Sequence, residues 1–401
     1  MNENLKNFPP VSIVPCMDYQ ESHVESALYE AIKRVDDLSW VKPGMKIGIK
    51  VNLVSHMKPE TAVTTHPQIV VALCKLLSER GAEPIVGDSP GGLFTAAIVN
   101  GIYRAAEMQR VEEVGGKLNQ NFDQELHENP EGVKAKRLDC TSWLLQCDAI
   151  INVCKLKTHG MMGMSAAAKN FFGTIPGLLK PEYHFHYPNP MDFANMLIDI
   201  DEFYRSGFGF RLNIVDAVVG MEGNGPTMGT PRQIGALLAS TSPYPLDTVC
   251  AELIGLKREE VQTLQAAYER GLGPADISEV AVLGDVDTFK IADFELIKER
   301  MNIEFVNDLV GVKGKLYHWI LSTAMTSRPK PEKDLCIGCG KCGEICPGHA
   351  IEMNPAKLSK GKGLPVIDKN KCIRCFCCQE FCPVGAMKVH RSAIAKVLNR
   401  R

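Results

Sequence analysis

Short apolar runs rich in β-branched residues alternate with amphipathic stretches along most of the chain. The run MKIGIKVNLV (45–54) predicts a strand. In the next segment, 66–81, apolar residues recur at helical spacing, with a proline suited to the first turn and a glycine suited to the end. The segment 83–92 predicts a second strand that runs into a glycine-rich turn. Strand, helix and strand in this order predict a βαβ unit of a parallel sheet.

The same alternation continues towards the last quarter of the chain. It predicts a helix at 95–116, strands at 148–157, 211–220 and 234–240, a helix at 245–256 and a final strand at 277–285. The expected fold is α/β, a mainly parallel sheet with helices on both faces. Ligands of such sheets bind outside the carboxyl ends of the strands, so the polar residues there are candidates for a site.

Lysines and a few carboxylates follow the ends of the predicted strands. Four lysines converging on one crevice would attract a phosphate or carboxylate, because buried ammonium groups need a partner or an anionic ligand. Asp88 and Asp216 are candidates to pair with them or to act as acid or base. The lysines are Lys50, Lys155, Lys157 and Lys169.

Each of these residues also has a purely structural interpretation. Lys50 then caps a strand end in solvent, Asp88 holds a turn through its side chain, and Asp247 caps the helix after TSPYP. His184 and His186 would point to one face of an extended segment, which suits either a metal site or two partly exposed loop histidines.

Two nearly identical cysteine runs follow, thirty-six residues apart. Three thiolates on one tight loop reach three irons of a cube, and the fourth ligand comes from elsewhere. In a two-cluster domain, each fourth cysteine serves the other cluster. The pattern predicts two [4Fe–4S] clusters, the first held by Cys336, Cys339, Cys342 and Cys382, the second by Cys372, Cys375, Cys378 and Cys346.

Zinc is the alternative cofactor for so many cysteines. Zinc ribbons use two CxxC pairs, whereas this chain has two CxxCxxCxxxCP runs, so iron–sulfur clusters are strongly favoured. Cys377 is a ninth cysteine in this region and aligns with Lys341 of the first run. It has no ligand position and is expected to be a packed or exposed thiol.

The distribution of the cysteines also bears on the cell compartment. Nine of the fifteen lie within 336–382, and the other six are scattered in apolar surroundings, where a free thiol packs as a small hydrophobe. A disulfide framework is therefore not expected, and a cytoplasmic location fits best. The first ten residues contain no apolar run, so a secretory signal is not expected, and no apolar stretch reaches 18 residues, which predicts no membrane span.

Charge divides the chain into an acidic body and a basic tail. Residues 328–401 hold 15 Lys and Arg against 6 Asp and Glu, whereas residues 1–327 hold 30 against 41. Two oxidised clusters with their thiolates carry about −2 each and balance much of the basic excess. Without interleaved aromatic residues in 388–401, we expect no nucleic-acid partner.

A segment rich in proline and charge, TSRPKPEKD (326–334), precedes the first cysteine run. It predicts two domains, an α/β body over 1–327 and a cluster domain over 331–392.

Several ordered motifs carry a resemblance to a known family. IKVNLV, TTHPQIVVAL, GAEPIVGDSPGG, CKLKTHGMMGMSAAAKNFFGTIPG and DAVVGMEGNGPTMGTPRQIGALLAS together resemble DUF362, a domain of unknown function often fused to a ferredoxin module. The tail resembles bacterial two-cluster ferredoxins at every ligand position, which implies a small α+β domain. SPYPLD departs from the usual Ala before Leu-Asp. Positions matching the family motifs are Lys50, Asn52, His66, Asp88, Lys157, His159, Lys169, Asn170, Asp216 and Gly225.

Three functions are compatible with these features. As a ferredoxin-dependent oxidoreductase, the protein would take electrons from a soluble redox partner and pass them to an anionic small molecule. Lys157, His159 and Lys169 would orient and polarise that acceptor, and Asp88 or His66 would supply protons. The alternatives are a non-enzymatic electron-transfer or maturation partner, and a non-redox enzyme with structural clusters. The remaining residues, Lys50, Asn52, Asn170, Asp216 and Gly225, would bind the anion.

Overall fold

The computed structural model describes residues 8–297, 328–358 and 360–390. They belong to two compact units, the first comprising 1–183 with 189–296 and the second 184–188 with 297–401. The predicted domain boundary, in 326–334, begins at the end of 298–327, a segment outside the described residues, and stays a prediction.

The body contains the following strands and helices. Its strands are β1 (Val11–Pro15), β2 (Lys46–Lys50), β3 (Glu83–Gly87), β4 (Lys117–Leu118), β5 (Gln124–Glu128), β6 (Arg137–Thr141), β7 (Ala149–His159), β8 (Gly163–Ser165), β9 (Phe210–Glu222), β10 (Thr230–Ser240) and β11 (Val282–Leu283). Its helices are α1 (Glu21–Lys33), α2 (Pro67–Ser78), α3 (Ala96–Ala105), α4 (Ser142–Leu145), α5 (Ala167–Asn170), α6 (Lys180–His186), α7 (Pro190–Gly207), α8 (Pro243–Leu253) and α9 (Gln262–Glu269). Residues 184–186, at the end of α6, are grouped with the second unit.

One large sheet forms the centre of the body. Among the described residues its strand order is β11-β1-β10-β9-β7-β2-β3-β4, with β8 paired to β7. The pairs β2–β3, β2–β7, β3–β4, β7–β9 and β1–β11 are parallel, while β10 is antiparallel to both β1 and β9. The prediction of a mainly parallel sheet is therefore confirmed.

Two groups of helices cover this sheet. In one group α1 packs on α2, and these helices also contact β10 and β3; in the other, α8 packs on α5 and α9, and α7 on α9. All eleven residues of β7 are buried, as expected for a central strand with helices on both sides.

Several elements differ from the sequence prediction. The helix predicted at 95–116 ends at Ala105, and a 3₁₀ segment follows after Glu107, whose φ of 57° is left-handed and breaks the helix. The final strand at 277–285 is only Val282–Leu283. The segment with His184 and His186 is helical, so residues two apart do not share a face and the predicted extended pair is wrong.

The second unit is built as an internal repeat. Its elements are β12 (Arg328–Pro331), α10 (Lys341–Glu344), β13 (Ile351–Asn354), β14 (Leu364–Ile367), α11 (Cys377–Glu380) and β15 (Met387–His390). Adding thirty-six residues to the bounds of β12, α10 and β13 gives those of β14, α11 and β15.

The strands pair across the two halves of this repeat. β12 of the first half pairs with β15 of the second, and β13 of the first pairs with β14 of the second, both antiparallel. The end of each half is thereby held next to the beginning of the other half. This exchange is what a shared set of cysteine ligands requires.

Candidate functional site

The eight cysteines of the two runs line two separate cavities in the second unit. The first cavity, of about 360 Å³, is lined by Cys336, Cys339, Cys342 and Cys382. The second, of about 320 Å³, is lined by Cys346, Cys372, Cys375 and Cys378, and also by Cys377. Each cavity therefore collects three cysteines of one run and the fourth of the other.

The backbone around the cavities has the same shape in both halves. Gly338 and Gly340 have φ angles of 66° and 81°, and the corresponding Arg374 and Phe376 both have φ of 61°. Left-handed conformation is ordinary for glycine but costs other residues about 1–2 kcal/mol. The second loop keeps this curvature without glycine, which indicates that the shape itself is required.

Backbone amides point at the fourth cysteine of each run. The amide of Ala350 donates to Cys346 Sγ at 3.3 Å, and that of Ala386 donates to Cys382 Sγ at 3.1 Å. Such N–H···S bonds favour thiolates and are typical of sulfur ligands of iron.

The cavities suit a cluster better than a single ion. Within the described ranges, no three His, Cys, Asp or Glu side chains are arranged to hold one metal ion. A [4Fe–4S] cube, in which four irons alternate with four sulfides at the corners, instead needs four thiolates around a common volume, one for each iron. The residues present therefore fit a [4Fe–4S] cluster in each cavity.

In the body, Lys50 and Asp88 form a buried ion pair at the carboxyl edge of the sheet. Lys50 Nζ lies 2.8 Å from Asp88 Oδ1, and both side chains are at most 4% exposed. Burial lowers the pKa of Lys50, and the Asp88 carboxylate opposes this. Gly173 lies against the pair, since a Cβ there would meet Asp88 Oδ1 at 2.2 Å. The backbone at Gly173 therefore covers the ion pair.

Lys180, which the sequence analysis missed, lies beside this pair. Its ammonium donates to the carbonyls of Ser89 and Ile175 at 2.7 and 2.5 Å. Burial lowers the pKa of Lys180 to about 7, with smaller effects of Lys50 and Lys169 in the same direction. No local signal marks this lysine, because its partners are backbone carbonyls and one of them, that of Ser89, is distant in sequence.

A second buried cluster surrounds Asp216. Its carboxylate lies 2.8 Å from Lys155 Nζ and accepts from the Tyr19 hydroxyl at 2.9 Å and from the amide of His66 at 3.0 Å. The Tyr19 ring stacks on the His66 ring with centroids 3.5 Å apart. Tyr19 was not identified from the sequence, since it lies outside the matching motifs.

His66 is held as a neutral imidazole at physiological pH. Its Nδ1 accepts from the amide of Gln68 and so caps α2. Burial lowers the pKa of His66 to about 4, despite the opposing charge of Asp216. The predicted role as a proton donor would therefore have to use the neutral ring, not an imidazolium.

Lys157, near the end of β7, is also buried. Its ammonium donates to Asn52 Oδ1 and to the carbonyl of Val63, both at 2.7 Å. The backbone amide of Asn52 donates in turn to Thr65 Oγ1 at 3.0 Å. Lys157 thereby joins the segments after β2 to β7.

The other predicted positions lie around this edge. Asn170 donates to Asn152 Oδ1 at 2.7 Å, and the Lys169 ammonium lies 5.9 Å from the Phe172 ring centroid. His159 Nδ1 accepts from the amides of Met161 and Met162 and closes the turn between β7 and β8.

Gly225 packs against the backbone at the end of β7. Its amide donates to Thr158 Oγ1 at 3.2 Å, and a Cβ there would meet the Thr158 carbonyl oxygen at 2.1 Å. This position requires glycine for close approach, which is a structural reason for the motif.

Asp247 does not open its helix as the structural interpretation assumed. It lies inside α8 and accepts from the amides of Ala167 and Ala168 at 2.7 and 3.0 Å. Burial raises its pKa to about 7. Asp247 thus fixes the start of α5.

Comparison with known proteins follows the same division of the chain. Residues 335–386 match a 4Fe-4S dicluster domain, so the protein is an iron–sulfur protein. Residues 47–252 match the domain of unknown function DUF362, and the chain belongs to this family.

Individual relatives are more distant. A thylakoid-associated protein of Synechocystis sp. is 28% identical over 302 residues, covering 74% of this chain and 90% of that protein. The lactate racemase apoprotein from Thermoanaerobacterium thermosaccharolyticum aligns with a TM-score of 0.39 and 13% identity, over 61% of this chain. A Thermotoga maritima protein aligns with a TM-score of 0.34 and 12% identity, over 55% of this chain. The chain spans 56% of the length of each solved structure.

No helix in the described part of the chain is long and apolar enough to cross a membrane. The cytoplasmic location stays a prediction.

Proposed function

We propose that this protein carries single electrons through two [4Fe–4S] clusters to an anionic substrate or cofactor held by its DUF362 domain. The observation that carries the proposal is the pair of repeat-related cavities, each of which contains the four cysteines predicted as its ligands, drawn from both runs. Eight thiolates in this arrangement serve one-electron chemistry, for which such clusters are suited.

The clusters are tested by anaerobic reconstitution followed by iron analysis and electron paramagnetic resonance. We expect about eight irons per chain and, after dithionite reduction, the signal of two interacting reduced cubes. About four irons, or zinc in their place, would contradict the proposal of two clusters.

The carboxyl edge of the sheet is the proposed site for the acceptor. Lys50, Lys180 and Lys157 are buried within the segments that border it. Buried ammonium groups raise the local potential and favour an anion close by. Asp88 and Asp216 each form an ion pair with one lysine, whereas the hydrogen bonds of the Lys180 ammonium go to carbonyl oxygens, and the charge of Asp88 acts on it without an ion pair.

The acceptor is sought by anaerobic purification and native mass spectrometry of any bound small molecule. The identified compound is then mixed with dithionite-reduced protein, and cluster absorbance is followed. We expect oxidation that depends on the compound and is slowed in Lys157→Met, with the iron content unchanged. If the clusters of this variant were oxidised equally fast, Lys157 would have no role in the reaction.

A non-enzymatic electron-transfer partner is the second candidate. The specific observation in its favour is that Lys50, Lys155, Lys157 and Lys180 all donate to oxygens of the protein itself. In that case reduced protein is oxidised only by another protein, and no small molecule accelerates the reaction.

A further inference from the structure

The internal repeat makes the two cavities directly comparable, and their surfaces differ. Leu335, Ile337 and Val384 are 47%, 48% and 37% exposed, and the last two line the first cavity. We call these three residues the apolar patch. At the positions related to these three by thirty-six residues, the second cavity has one apolar side chain, and it is half-buried. The counterparts are Lys371, Ile373 and Gly348.

The cysteines of the first cavity are also nearer to solvent. Cys339 is exposed and Cys342 half-buried, whereas their counterparts Cys375 and Cys378 are half-buried and buried. Phe376 lines the second cavity at the place that Gly340 occupies in the first. A cluster in the first cavity is therefore closer to any protein that docks there.

Positive charge borders the apolar patch. Lys341 is exposed and lines the first cavity, while its counterpart in the second half is the buried thiol Cys377. The Lys362 side chain lies against Gly340, and its ammonium is 2.7 Å from Glu344. Lys341 and Lys362 thus lie on the part of the surface where Cys339 is exposed.

We propose that the apolar patch, with Lys341 and Lys362, is the docking surface for a small electron-carrier protein that is acidic around its redox group. Electrons then pass between that carrier and the cluster of the first cavity. One electron leaves the reduced carrier and enters the oxidised cluster, and no bond is formed or broken. The proposal rests on the proposed function, because it requires a cluster in the first cavity.

Physical reasons favour this occupant over others. Redox complexes use small interfaces, in which a few exposed apolar groups and complementary charges are sufficient. The charges mainly steer the encounter and set its rate, so an acidic carrier gains and a basic one is repelled. Electron transfer slows with the distance between the centres, which selects the cavity whose ligand is exposed.

The charge is tested by anaerobic stopped-flow mixing of the reconstituted full chain with flavodoxin hydroquinone, an acidic carrier. Lys341→Glu should lower the second-order rate constant about tenfold at low ionic strength, and the difference should shrink as salt is added. The control is Lys371→Glu, an exposed lysine beside the second cavity, which should change the rate less than about twofold.

The apolar patch is tested with a matched pair from the repeat. Ile337→Ser should weaken calorimetric binding of oxidised flavodoxin, a measurement that needs no electron transfer. Ile373→Ser, its counterpart, should leave binding unchanged. Iron content and the resonance signal of each variant show whether the clusters are intact.

Three results would overturn the proposal. The first is equal slowing by Lys341→Glu and Lys371→Glu, and the second is failure of the unmodified protein to bind or accept electrons from flavodoxin. The third is concentration-dependent self-association in sedimentation velocity that Ile337→Ser abolishes, which would assign the patch to a second copy of the chain. Missing iron would instead contradict the proposed function itself.

Discussion

At the scale of single residues, Cys375 and Cys377 both line the second cavity but have different expected roles. Cys375 belongs to the repeated spacing, whereas Cys377 is buried and lies one residue before Cys378. The counterpart of Cys377 is a lysine, which cannot serve as a thiolate ligand. The repeat therefore assigns Cys375 as the ligand and leaves Cys377 as a packed thiol.

This assignment predicts different outcomes for two substitutions. Cys377→Ala should keep about eight irons per reconstituted chain, whereas Cys375→Ala should lose most of the iron of one cluster. Iron analysis and the resonance spectrum measure both. Loss of iron in Cys377→Ala alone would reverse the assignment.

Asp201 is a second residue whose environment has a measurable consequence. The Tyr244 hydroxyl lies 2.9 Å from both Asp201 Oδ2 and Glu202 Oε1, but it has only one proton to donate. Burial raises the pKa of Asp201 from 3.8 to about 7, with the nearby Arg205 opposing the shift. Asp201 is thus protonated in the folded protein over a range where the unfolded chain has lost the proton.

The free energy of unfolding should therefore fall as the pH rises from about 4 to about 7. Asp201→Asn removes the ionisable group. The free energy of unfolding of the variant, relative to that of the unmodified protein, should therefore rise across that pH range, by on the order of 4 kcal/mol at most. Denaturant unfolding at pH 5 and pH 8 measures the difference. Asp287→Asn, at a side chain 82% exposed, is the control and should show no such gain.

At the scale of structural elements, the cluster loops depend on left-handed residues with different surroundings. A Cβ on Gly338 would meet the carbonyl oxygen of Lys360 at 2.1 Å, whereas one on Gly340 would meet the flexible side chain of Lys362 at 2.7 Å. An alanine would be similarly strained by the left-handed φ at either position, so the comparison isolates the collision with the Lys360 carbonyl.

Gly338→Ala should consequently impair the second unit more than Gly340→Ala. The expected result is a lower iron content after reconstitution and faster release of iron in guanidinium, followed by the loss of cluster absorbance. Arg374→Gly should slow that release, because it relieves about 1 kcal/mol of left-handed strain. Equal behaviour of the two alanine variants would show that the Lys360 carbonyl moves easily.

Elements were predicted well where apolar spacing is long and regular. The helix expected at 66–81 is Pro67–Ser78, and the strand expected at 148–157 is Ala149–His159. The extended conformation predicted for 184–186 was wrong, because six or seven residues contain too little periodicity to distinguish a helix from an extended chain. Val11–Pro15 was not predicted, since a run of five residues gives the same ambiguity.

At the scale of the whole molecule, the body and the cluster domain are expected to fold independently. The prediction rests on the sheet of the body, which the described residues 8–297 complete without a strand from 328–390. A chain ending at residue 330 should keep the circular dichroism of an α/β protein and a cooperative thermal transition. Loss of that transition would place the boundary elsewhere.

The sequence by itself determined the cysteine grouping and the α/β class, because ligand spacing and hydrophobic period are local properties. Only the tertiary structure decided which polar residues meet. Lys180 reaches Ser89, and Tyr19 reaches Asp216, through contacts between segments far apart in the chain. The physical reason is that a buried charge must find its partner wherever packing brings one, and no spacing along the chain records that position.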